Sequence, residues 1–124
     1  KYLDLDMKIG LGSDVAGGQT ESIFRAITDA IGVSKMYLRY VDENAKAVTF
    51  EEAFYMATKG GGEFFGKVGS FEEGYEFDAL ILDDSILAHP LNLSLRQRLE
   101  RSIYLSLDLC GGIKEKYIQG NKII

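Results

Sequence analysis

The ten residues Ile9-Gly10-Leu11-Gly12-Ser13-Asp14-Val15-Ala16-Gly17-Gly18 constrain this chain more than any other stretch. An apolar run at residues 7–11, with Lys8 its only charge, reads as a short buried strand. It runs into small residues that permit a tight turn, and one carboxylate stands at the strand's exit. The chemistry of α/β enzymes sits at the C-terminal ends of such strands. Asp14 therefore has two readings. The first is an Asx-turn or helix cap, accepting hydrogen bonds from free N–H groups. Alternatively it is a metal or acid–base carboxylate, with small neighbours that leave room for a metal and a substrate. One carboxylate does not complete a catalytic zinc site, which takes about three protein ligands plus water.

Beyond this glycine-rich turn (residues 12–19), a helix is expected from Thr20 or Glu21. Ile23, Phe24, Ile27, Ala30 and Ile31 recur at helical spacing and define one apolar face. Met36, Tyr37, Tyr40 and Val41 extend that face past a kink at Gly32. Residues 42–47 are a polar break. Thr49 and Glu52 have the spacing of a capping box, so a second helix starts there with Ala53, Phe54 and Ala57 inward. Gly60, Gly61 and Gly62 end it or join it to a short further helix. Residues 66–74 are turn-rich, and residues 79–82 read as a short buried strand with aspartates at both ends. Leu91, Leu95, Leu99 and Ile103, four apart, mark a helix ending before Gly111. Residues 113–118 and 122–124, around a turn at Gly120-Asn121, read as a closing hairpin.

Other motifs fall short. Gly10 and Gly12 begin a dinucleotide fingerprint, but Val15 stands where its third glycine belongs. Residues 61–67 have phosphate-loop spacing as far as Lys67, but Val68 replaces the hydroxyl that would bind magnesium, and the segment follows a helix. His89, the single histidine, lies beside Pro90 in a loop, has no partner at H-E-x-x-H or similar spacing, and reads as a solvated loop residue. Cys110 lacks a neighbouring base. Asp83-Asp84 reads as a strand end in solvent, and Tyr37 and Tyr40 as core or interface.

With 124 residues, the chain has the size of one domain. A net charge of −5 and no Lys/Arg cluster argue against a nucleic-acid partner. No stretch approaches the roughly 20 apolar residues of a membrane-spanning helix. The lone cysteine excludes an internal disulfide framework and suits a reducing, cytoplasmic compartment.

Four segments carry a resemblance. Residues 10–18 (Gly-Leu-Gly-Ser-Asp-Val-Ala-Gly-Gly) resemble the end of barrel strand eight in guanine deaminases of the amidohydrolase superfamily. Residues 49–61 resemble the helix pair that follows it. Residues 67–83 resemble the return of the chain to the superfamily's small β domain, and residues 118–123 its last hairpin. The match keeps the family's order and is weakest over residues 85–112. Val15-Ala16-Gly17-Gly18 points to the guanine deaminase branch, because many relatives have Gly-Ala-Ala-Ser or similar after the aspartate.

The resemblance implies the C-terminal portion of a (β/α)8 metal-dependent hydrolase barrel, with strand eight and its helices in residues 1–66. Residues 67–124 would supply strands and a helix of the small composite β domain. It implies a zinc enzyme that hydrolyses guanine to xanthine and ammonia, and it makes Asp14 a zinc ligand that also helps manage the water's proton. No other residue here inherits a role. The family's other ligands, its proton-shuttling glutamate and its base-recognition residues have no counterpart in these 124 residues. The expected partners are guanine, the remainder of the barrel and a second copy in a homodimer, with the 124-residue chain inactive alone. Two other readings stand beside this one: another amidohydrolase-superfamily aminohydrolase, of the chlorohydrolase or cytosine deaminase kind, and a non-catalytic dimerising module.

Overall fold

The computed structural model describes Leu5 and residues 7–124. In chain order it contains α1 (Ile23–Tyr40), α2 (Phe50–Ala57), the single turn α3 (Lys59–Gly62), β1 (Ala79–Leu82) and α4 (Leu95–Tyr104), then a 3₁₀ turn (Leu107–Cys110), β2 (Ile113–Ile118) and β3 (Asn121–Lys122). The class is α/β, with helices beside one small antiparallel sheet.

The helix starts follow from capping. Ser22 caps α1, its Oγ accepting from the Arg25 N–H, so the helix begins at Ile23, the first periodic residue, and not at Thr20 or Glu21 as expected. Thr49 and Glu52 form the expected capping box on α2. Ser94 and Gln97 form a second box, which starts α4 at Leu95. That start leaves Leu91 outside the helix, and Leu91 and Leu95 are 69% and 80% exposed while Ile103 is fully buried. The four-residue leucine spacing therefore marks a buried face only in its second half.

Phe24, Ile27 and Ile31 of α1, Phe50, Ala53 and Met56 of α2, Ile103 of α4 and Leu107 of the 3₁₀ turn form one core. Phe54 and Ala57, expected inward, lie half-buried at its margin. The helix α1 passes through Gly32 without a break. Its second half carries Val33, Met36, Tyr37 and Tyr40, all exposed, so Met36, Tyr37, Tyr40 and Val41 are not the continuation of the core face. At 100° per residue the stripe points away from the Phe24/Ile27/Ile31 face.

In the sheet the order is β1-β2-β3, and all neighbours are antiparallel. Ala79 pairs with Tyr117, and a bulge between Ile81 and Leu82 brings Leu82 opposite Ile113. The closing hairpin turns on Gln119 and Gly120, both at positive φ (49° and 77°), with Ile118 opposite Asn121. The turn therefore sits one residue earlier than the Gly-Asn pair suggests, because a tight two-residue hairpin loop needs left-handed backbone at both central positions.

Residues 7–11 form no strand. The described strands pair with one another, and a strand without a neighbour has no ladder to join. This segment lies against α2 and α3 instead, with Ile9 and Leu11 packed on the core margin.

Candidate active site

Asp14 sits in a loop held at its entrance by close backbone packing. The Leu11 N–H donates to the Met56 carbonyl at the end of α2, 2.9 Å away. A Cβ on Gly10 would lie 2.9 Å from the Gly61 Cα, so only glycine lets the two backbones approach this closely. Below the entrance, Lys8 pairs with Glu63 at 3.3 Å, and the Tyr55 hydroxyl donates to the same carboxylate at 2.8 Å. The Tyr55 hydrogen bond first, then Lys8, hold the Glu63 carboxyl below its ordinary range.

Past the entrance the backbone reverses sharply. Asp14 and Ala16 both have positive φ, 48° and 83°. Asp tolerates the left-handed region, whereas alanine pays a steric penalty there of about 1–2 kcal/mol. The Gly17 and Gly18 N–H groups both donate to the Asp14 carbonyl, and Val15 bridges to Gly18. A Cβ on Gly18 would overlap the Ser13 carbonyl, so this position too requires glycine. Strained non-glycine residues cluster at sites where the surrounding fold enforces them for use.

The Asp14 side chain is exposed, and no hydrogen bond among the described residues engages its carboxylate. It therefore does not serve as the cap of α1, a task that falls to Ser22. A Cβ on Gly17 would come within 2.8 Å of Asp14 Oδ2, so the missing side chain leaves one face of the carboxylate open. Such a group suits one ligand position on a hard or borderline cation. Among the described residues no three His, Cys, Asp or Glu side chains gather as a metal site. The Asp14 carboxylate thus has the room for a single ligand position, and the described residues gather no others beside it.

The other candidates do not join Asp14. His89 is exposed, and its Nδ1 accepts from the Leu91 N–H at 3.1 Å. It lines a shallow cavity of about 320 Å³ with Asp84, Arg98 and Arg101. The cations there are spent: Arg98 holds Asp84 through two hydrogen bonds of 2.8 and 2.6 Å, and Arg101 donates to the Leu87 and Ala88 carbonyls. Asp83 binds the Ser85 N–H and lies 3.7 Å from Lys114. The strand-end pair is thus engaged locally and not simply solvated. Cys110 is free and exposed. Tyr37 and Tyr40 are exposed on α1. Sequence spacing gave no sign of one further pair, Ser22 with Asp108, which lie 86 residues apart and meet at the start of α1.

The amidohydrolase family model matches residues 1–110. The chain is 37% identical to a guanine deaminase of Dictyostelium discoideum, covering 99% of this chain and 28% of that protein. It is 34% identical to the guanine deaminase of Homo sapiens, covering all of this chain and 29% of that protein. A crystal structure of guanine deaminase from C. acetobutylicum, with guanine bound in its active site, matches with a TM-score of 0.90 at 49% identity. That match covers 99% of this chain and 29% of the solved one. The chain thus spans under a third of the length of these relatives.

Proposed function

The chain belongs to the amidohydrolase family, and on that premise we propose that it is the C-terminal part of a zinc-dependent guanine deaminase, converting guanine and water to xanthine and ammonia. One observation carries this reading: the fold matches a guanine deaminase with guanine bound over nearly the whole length of the chain. Residues 1–66 would close the barrel, with residues 7–11 completing its eighth strand once neighbouring strands flank them. Residues 67–124 would belong to the composite β domain, although α4 also packs on α1.

Bound zinc would supply a water of lowered pKa and a Lewis acid at the reacting carbon. This chain contributes Asp14. Its carboxylate, held forward by the glycine turn, would occupy one ligand position and take up a proton from the attacking water. The open side beside Gly17 leaves that carboxylate reachable. The guanine-contacting residues, the other ligands, a second copy of the chain and a cytoplasmic location belong to the same proposal.

The test is expression of the full open reading frame that contains these residues. Guanine loss, ammonia release and zinc content are then measured beside an Asp14→Ala variant. The expected result is zinc-dependent turnover of guanine that the variant loses by more than about a hundredfold. Turnover of a different amino-substituted ring with none of guanine would instead favour another aminohydrolase.

A further inference from the structure

Ser22 stands four residues after Gly18, where the Asp14 turn passes into α1. It is 4% exposed and its hydroxyl is used twice. The Oγ accepts from the Arg25 N–H at 3.1 Å and donates to Asp108 Oδ2 at 2.5 Å. Donating to Asp108, the hydroxyl turns its lone pair to the helix N–H. The Ser22 N–H in turn donates to Thr20 Oγ1 at 3.2 Å, tightening the segment just before the cap.

Asp108 arrives from the far end of the chain. It lies in the 3₁₀ turn whose Leu107 is fully buried in the core. Its second oxygen, Oδ1, is buried and receives no hydrogen bond from the described residues. Burying a carboxylate oxygen without a hydrogen-bond partner is unfavourable for folding alone.

The loop bearing Asp14 therefore has two anchors. Its entrance is fixed where Gly10 meets Gly61 and Leu11 meets Met56. Its exit is fixed where Ser22 meets Asp108. We propose that Asp108 is a positioning residue that, through Ser22, holds the exit of this loop and so sets where the Asp14 carboxylate stands. The proposal rests on the reading of Asp14 as a metal ligand.

The experiment compares Asp108→Ala, Asp108→Asn, Ser22→Ala and Asp14→Ala in the full-length protein. Amide hydrogen exchange over residues 12–18, zinc retained after chelator dialysis, kcat and KM for guanine, and melting temperature are measured for each. Asp108→Ala and Ser22→Ala should speed exchange over residues 12–18 by about tenfold or more. They should also lower retained zinc and reduce kcat by about tenfold to a hundredfold, with KM nearly unchanged. Asp108→Asn should recover most of this, because an amide oxygen still accepts from Ser22. Wild-type exchange over residues 12–18 and wild-type zinc in Asp108→Ala would overturn the proposal, even with a lower melting temperature. Should Asp108→Ala fail to fold, wild-type exchange over those residues in Ser22→Ala overturns it equally. Undiminished zinc and turnover in Asp14→Ala would instead remove the metal-ligand premise, while exchange over residues 12–18 still decides whether Asp108 anchors the loop.

Discussion

At the scale of single residues, the Asp14 loop depends on what is missing from its neighbours. Gly10 faces Gly61 with no room for a methyl group. Gly10→Ala should therefore shift the loop entrance and destabilise the protein by about 1–3 kcal/mol, as overpacking against backbone does. If Asp14 acts as proposed, the full-length protein should also lose kcat, since a displaced carboxylate loses its geometry. Thermal melting together with steady-state kinetics checks both effects, and a variant with wild-type values in each would show that the approach carries no weight. Gly32 is the contrast: it is exposed inside α1, and nothing lies within 4 Å of a Cβ there. Gly32→Ala should raise stability by about 0.5–1 kcal/mol, measured by denaturant titration, because glycine costs that much in a helix interior.

At the scale of elements, helix caps fix the register of the core. Thr49 and Glu52 close the box that starts α2 and so place Ala53 and Met56 inward. Thr49→Ala should cost about 1 kcal/mol. The backbone N–H of Thr49 is the leading cause that lowers the Glu52 carboxyl below its ordinary value of 4.5, with Lys46 contributing. A carboxyl that ionises more easily when folded adds stability above its unfolded pKa and loses it as pH falls through the folded one. The cap's contribution should thus be complete at neutral pH and fade below about pH 4.5. Glu52→Gln should flatten that part of a stability–pH curve, and an unchanged acid limb would show that the box does not titrate. Between elements, Arg96 of α4 donates to Glu51 of α2 at 2.6 Å and lies over the Phe50 ring. This link sits at the surface and contributes little beyond orientation.

At the scale of the whole molecule, one helical core and a three-stranded sheet leave much apolar surface uncovered. Phe64, Phe65 and Phe71 are 87%, 77% and 76% exposed, and the Val33/Met36/Tyr37/Tyr40 stripe adds a continuous helix face. Contiguous apolar surface on this scale marks places where more protein packs. The isolated 124-residue chain should therefore associate as its concentration rises, which light scattering would detect. On the proposed reading it should also bind zinc weakly and turn over no guanine, because it would supply one carboxylate where about three ligands are needed. Robust turnover by this chain alone would contradict the placement of the remaining ligands outside it.

The sequence by itself determined what local physics controls. The α2 capping box, the apolar face of the first half of α1, the strand at Ala79–Leu82 and the existence of the closing hairpin follow from spacing and turn chemistry, although Leu80 and Ile81 of the strand, expected buried, are exposed because no layer covers that part of the sheet. The same local pattern singles out Asp14 among small residues, because turn-forming glycines and one carboxylate lie within ten positions. Tertiary structure decided what depends on distant neighbours. Residues 7–11 have the pattern of a strand but no strand beside them, so they settle against Met56 and Gly61. Met36, Tyr37 and Tyr40 have helical spacing, yet burial requires an opposing surface that no spacing supplies. Asp108 meets Ser22 across 86 residues. Such a contact comes from the packing of the core, and no local propensity encodes it.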